Sequence, residues 1–296
     1  MAPEANVEKP ADHHIENPFE YVAEKLSWAF SDGARTFRFD PARHAGQAVP
    51  VARKLTVADL REALRKGADD VGATRDDILF IGLIYPVAGL MLARLMFSYD
   101  LLPLVFPLAS GFALIGPFAA VGLYEMSKRR EEGLKVSWFD AFEVVNSRAW
   151  GSILGLGFVL LALFSLWLAV SWEIYLATLG GAAPQTFAGF EQSVFQTAGG
   201  WSLIAAGVGV GFLFAIAAFA VGVVSFPLLL DRDVGMVTAV RTSFRVVAAN
   251  PGVMALWGAI VAGALVLGSI PALVGLIFVM PMLGHATWHL YRKAVG

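Results

Sequence analysis

The sequence predicts an all-α polytopic membrane protein, with six transmembrane helices arranged as three units of interfacial helix plus helical hairpin. Three observations predict this class. Of the 296 residues, 57% are hydrophobic and only 16% are charged, where a soluble globular chain carries about 25% charge; mean hydropathy is +0.65. Six segments stay apolar over the roughly 20 residues that a bilayer core requires. The basic residues fall almost wholly on one side of those segments.

The six spans are expected at Ile78–Phe97, Leu101–Met126, Gly151–Leu179, Trp201–Leu230, Gly252–Ser269 and Pro271–Tyr291. The third and fourth exceed what a crossing needs, so tilt or extension past the membrane is expected. Of 22 basic residues, only Arg94 falls on or near the side that holds Ser98–Leu101, Trp172–Gly200 and Gly268–Pro271. Lys and Arg mark the cytoplasmic side. Both termini are therefore expected in the cytoplasm, with residues 1–52 a partly disordered cytoplasmic arm and residues 53–296 the membrane domain. Within the arm, Asn17 and Pro18 suit a helix start. Phe19, Val22, Leu26 and Phe30 then form one apolar stripe. No apolar stretch of signal-peptide length opens the chain, so no cleaved signal is expected.

Before each predicted hairpin lies a short stretch of helical periodicity with a charged opposite face. The first is LTVADLREALRKG, with Val57, Leu60 and Leu64 on one face. The second is VSWFDAFEVV, with Trp138, Ala141, Phe142 and Val145. The third is VGMVTAVRTSFRVVAANP, with Val237, Val240, Phe244 and Val247. Thr56 with Asp59 and Ser137 with Asp140 have the spacing of a capping box; Gly235 with Thr238 does not. The second span of each pair carries a proline, Pro117, Pro227 or Pro281, which removes a backbone donor and permits a kink. Between spans three and four, TFAGFEQSVFQTAGGW places Phe187, Phe190, Val194 and Phe195 on one face. It reads as an interfacial helix or a lid.

Chemistry-bearing residues are few. Cysteine is absent, which excludes disulfides, thiolate metal sites and iron–sulfur clusters. In PMLGHATWHLYRKAVG, His285 and His289 stand four apart and share a helical face. Measured from Tyr291 at 1.5 Å per residue, His289 lies about 3 Å and His285 about 9 Å inside the border. Trp288 and Tyr291 suit headgroup depth, with Arg292 and Lys293 beyond them. The pair is then a polar end-plate of the last span. The sharper reading is a haem or metal site, for which Glu125 is the available third ligand. No cofactor is otherwise expected.

Other polar candidates lie near the interfaces. Arg94 can snorkel, or pair with Asp100 or Glu173. Glu125 can face Lys128 or Arg129. Asp231, Arg232 and Asp233 form a compact charge group. Intramembrane charge marks function by default, but none of these sits at midplane. Gly151 with Gly155, and Gly207 with Gly211, give small-xxx-small spacing for close helix contact. The sequence shows no Ser-His-Asp set, no HExxH and no paired carboxylates placed for acid–base work.

GLIYPVAGLMLAR, GFALIGPFAAVGLYEMSKRRE, SFPLLLDRDVG and PMLGHATWHLYRK resemble the proteobacterial integral-membrane family called domain of unknown function 2189. The likeness runs from about Arg53 to Lys293. It implies a six-span fold in the bacterial inner membrane and no defined activity. Members often carry the label cytochrome c oxidase subunit I. A haem–copper core needs imidazoles from several helices; here His13, His14 and His44 lie in the arm, and His285 and His289 share one helix. A catalytic oxidase subunit is therefore rejected, while an oxidase-associated accessory role stays open.

The functional expectation is a non-catalytic accessory, scaffold or assembly factor of a membrane complex. Its expected partners are the lipid bilayer and a membrane-protein complex, not nucleic acid. The alternatives are a transporter or channel for a small or apolar solute, and a haem- or lipid-handling protein using His285, Glu125 and His289.

Overall fold

A computed structural model describes residues 50–73, 87, 89–90, 94, 99–180, 186–271 and 273–296. The arm with its helix at Asn17, and most of the first expected span, lie outside the described residues. Within them, every regular element is helical; one isolated antiparallel bridge joins Ala52 to Val295.

The first helix, α1, covers Val57–Ala73. A 3-10 turn at Tyr99–Leu104 leads into α2, Val105–Ala119, and α3, Val121–Glu131. A second 3-10 helix spans Trp138–Asn146. Then come α4, Trp150–Leu179; α5, Phe187–Gln196; α6, Ala198–Gly222; and α7, Ser225–Asp231. The last three are α8, Met236–Ala249; α9, Pro251–Ser269; and α10, Leu276–Ala294.

Four helices among the described residues are long and apolar enough to cross a membrane: Leu102–Glu131, Trp150–Leu179, Ala198–Asp231 and Pro251–Ser269. They coincide with expected spans two to five. Their outward faces are bare. Phe212 and Leu213 on α6 are each 64% exposed, and Val266 and Leu267 on α9 are similar. Such faces suit a medium as apolar as they are. The segment expected as span six is helical from Leu276, but it is not one of the four. Its second half carries GHATWHLYRK, whose polar groups lower its hydropathy and turn toward protein.

The prolines act differently in the three places. The helix of expected span two breaks at Ala120, just after Pro117, and restarts with the Leu123 and Tyr124 amides donating to the Ala120 carbonyl. That of span four breaks at Val223–Val224, and Pro227 falls in the first turn of α7, where a missing N–H costs little. Pro281 lies inside an uninterrupted α10. The two breaks touch. A Cβ on Gly222 would stand 3.0 Å from the Pro117 ring, and the Phe118 and Phe226 rings lie 6.1 Å apart. Deeper in the bundle, Trp167 of α4 fills the gap left by Gly211 of α6, meets the Phe214 ring in a tilted contact at 5.4 Å, and donates to Ser110 on α2. Gly211 of the expected small-residue pair is thus a seat for an indole.

The capping signatures form. The Thr56 amide donates to Asp59 at 2.8 Å, the Ser137 amide donates to Asp140 at 2.7 Å, and α8 starts at Gly235 with no side-chain cap. The apolar stripes of these segments are only partly buried. The α1 helix buries Leu60, Ala63, Gly67 and Asp70, and leaves Val57 exposed. The segment at Trp138 is a 3-10 helix that exposes Phe139 and Phe142. The α8 helix buries Ala239, Thr242, Ser243 and Val246, and exposes Val237 and Phe244. Small and hydroxyl residues admit close helix contact, so the bulky apolar residues are left for the surroundings. The α5 helix forms over the expected TFAGF segment, capped by Thr186, with none of its residues buried.

Candidate functional site

The second half of α10 is enclosed by three elements. On one side α1 runs antiparallel to it. Lys293 reaches Asp59 and Glu62 near the start of α1, and Asp70 near its end meets His285 and His289. Between these points the backbones nearly touch: a Cβ on Gly67 would fall 2.7 Å from the Ala286 nitrogen. Only glycine permits that crossing. On the other sides stand α3 and the short α7.

Asp70 is the centre of the buried polar cluster. Its Oδ2 accepts from His289 Nε2 at 2.8 Å and from the Ser127 hydroxyl at 2.7 Å. Its Oδ1 lies 3.2 Å from the Arg130 guanidinium. Ser127 Oγ is also 2.7 Å from His285 Nδ1. The serine has one proton, and it goes to the carboxylate. His285 Nδ1 must then be the donor to Ser127, which assigns the tautomer by bond accounting. His285 Nε2 is buried with no hydrogen bond. Burial alone would raise the Asp70 pKa; the hydrogen bonds from His289 and Ser127 outweigh it and hold the carboxyl below its ordinary value.

Serine, histidine and aspartate therefore do meet, although no such set is legible along the chain. Their order differs from a nucleophilic triad, where serine donates to histidine and histidine to aspartate. Here serine donates to aspartate and accepts from histidine, so no imidazole stands ready to take its proton. Ser127 is 1% exposed, out of reach of a substrate.

The rest of the α10 end pairs in the same manner. Trp288 Nε1 donates to Glu131 at 3.2 Å, and Arg292 contacts the same carboxylate. The Tyr291 hydroxyl donates to Asp231, which Arg292 also reaches at 3.2 Å. Trp288 and Tyr291 are each 1% exposed, so they face protein rather than lipid headgroups. The chain end is stitched as well. The Arg53 amide donates to the Ala294 carbonyl, and Asn250, ahead of α9, holds both the Leu55 amide and the Arg53 carbonyl.

Of the residues singled out from sequence, His285 and His289 come together, with Asp70 as their shared partner. Glu125 does not join them; it accepts from Arg129 at 2.8 Å, and Arg129 also binds Asp140. Among the described residues no group of three or more His, Asp or Glu side chains is arranged to hold a metal ion. Arg232 donates to the Gly296 carbonyl and lies beside Asp231. Arg94 and Glu173 are exposed, and no ion pair joins them. Sequence reasoning missed Asp70 and Ser127. A signal for Asp70 exists: it continues the Leu60, Ala63, Gly67 face at the next helical step, so a carboxylate sits on the stripe that packs.

No curated protein and no solved structure matches the chain. A family model does, over the stretch from α2 to α7 that includes Ser127, Glu131 and Asp231 but not Asp70, His285 or His289. Residues 105–231 match the family described as predicted integral membrane protein (DUF2189).

Proposed function

We propose that this integral membrane protein serves as a non-catalytic accessory, scaffold or assembly factor of a membrane complex, in the bacterial inner membrane with both termini cytoplasmic. One observation carries the reading: the reactive side chains of the α10 end are spent on partners in neighbouring helices. His285, Trp288, His289, Tyr291, Arg292 and Lys293 each contact an acid or hydroxyl of another helix. A site so paired fixes helices and offers no group to a substrate. Bulky apolar side chains on the same side (Val57, Phe139, Phe142, Val237 and Phe244) are exposed, as those of interfacial helices against lipid or a partner would be. The test is migration on native gels after mild detergent extraction. A band larger than the chain with its detergent, which shifts down when Phe139 and Phe142 are both replaced by Ala, supports the reading. A protein that runs alone at every expression level counts against it.

A transporter or channel is the second reading. The contact between the helix breaks at Ala120 and Val223–Val224 favours it, because interrupted helices line solute sites in many transporters. Against it stands the filling of that region by Leu114, Leu156, Leu160, Trp167 and Phe226, all buried. Solute flux into vesicles that Gly222→Leu abolishes would decide for transport.

A further inference from the structure

A cleft of about 230 Å³ lies where α2 gives way to α3, roofed by the Trp138–Asn146 helix and closed by the start of α4. Phe118, Val121, Gly122, Phe142, Val145 and Trp150 line it, and its walls are almost wholly apolar. The cleft sits beside the break at Ala120, where the chain leaves the apolar run for SKRREEGLK. Its depth is therefore that of the outermost acyl carbons of a leaflet.

The charges around it are unevenly used. Arg129 binds Glu125 and Asp140, Arg130 binds Asp70, and Lys128 donates to the Leu230 carbonyl. Arg148 is exposed and has no ion pair among the described residues. It stands in the link between Val145 and Trp150, both of which line the cleft. In the same link the Ser147 hydroxyl is buried without a hydrogen-bond partner. An apolar slot, with an exposed and uncommitted arginine in the short link that joins two of its lining residues, fits one molecule: an acyl chain that carries a negative headgroup.

We propose that this cleft is a binding site for one anionic phospholipid, its acyl chain between Phe118, Val145 and Trp150 and its phosphate on Arg148. A phosphate accepts two parallel N–H bonds from a guanidinium, which a choline lipid can also offer. The net negative charge makes the difference, at about fivefold per basic residue. Arg148 then selects the headgroup, and the slot confers residence.

The full chain is reconstituted in vesicles of equal phosphatidylglycerol and phosphatidylcholine, extracted in mild detergent, and its retained lipid counted by native mass spectrometry. The expected result is one phosphatidylglycerol per chain. Arg148→Ala lowers that retention about fivefold, and Arg148→Lys restores most of it. Val145→Trp, which fills the slot, removes both lipids, while Phe212→Trp on the bare face of α6 changes nothing. Should Val145→Trp not fold, the Arg148 pair decides alone. Equal retention of the two lipids by the natural chain, or phosphatidylglycerol retention unchanged in Arg148→Ala, would overturn the proposal.

Discussion

The end of α10 and the outward faces of α6 and α9 obey different rules. From Leu283 to Tyr291 nearly every side chain is buried, and the polar ones other than Thr287, which bonds its own helix, are bonded to α1, α3 or α7. On α6, Phe212 and Leu213 touch little protein, and Leu267 on α9 is 68% exposed. Both regions are helical. The first is held by matched polar pairs and a backbone crossing at Gly67; the second is held only by being apolar. Lipid tails are as apolar as leucine, so a bare helix face in a bilayer gains nothing by finding a protein neighbour. A buried carboxylate has no such freedom. Deprived of partners it costs several kcal/mol, so Asp70 dictates where α1, α3 and α10 meet.

Substitutions can break this contrast, and the largest effect is expected at Gly67. Gly67→Val puts side-chain atoms where the Ala286 backbone stands, at 2.7–2.9 Å from the first carbon. Rigid backbone cannot yield as a side chain would, so α1 should leave α10. Overpacking of this kind costs about 1–3 kcal/mol or more. The chain has no cysteine, so a single Leu60→Cys reporter on the buried face of α1, inaccessible in the natural packing, should become reactive to a maleimide. A reporter that stays protected would show that the crossing is not needed.

Asp70→Asn comes next. It keeps the shape but removes the charge that Arg130 and His289 face, at an expected cost of about 3 kcal/mol. The same residue sets a pH response. Its carboxyl is held below the ordinary value of 3.8, so its contribution is complete above that pH and fades as pH falls through the lower folded value. Thermal unfolding in detergent should show an acid-side loss in the natural chain that is smaller in Asp70→Asn. Identical acid profiles would remove Asp70 from its central role.

The smallest effect sharpens the other half of the comparison. Leu213→Ala should change the melting temperature by less than the error of a degree or so, because no protein cavity forms where lipid fills the space. A large loss there would mean that a further helix or subunit covers α6.

The positions of spans two to five were legible because a bilayer demands one property, sustained apolarity over about 20 residues, and each segment either has it or lacks it. Capping at Thr56 and Ser137 was legible because its partners lie three residues apart. Which faces of α1 and α8 pack on protein was not legible from their apolar stripes, for a physical reason. Apolarity marks what avoids water, and in a membrane protein that includes the side turned to lipid. Gly67, Ala239 and Ser243 pack instead because they are small.

By itself the sequence determined that the chain is helical, lipid-embedded and polarised in charge, since length, composition and the order of residues suffice for each. It also marked His285 and His289 as neighbours. Only the tertiary structure decided what they bind. Asp70 lies 219 positions from His289 in the chain, and no local spacing encodes a contact that depends on where two helices cross.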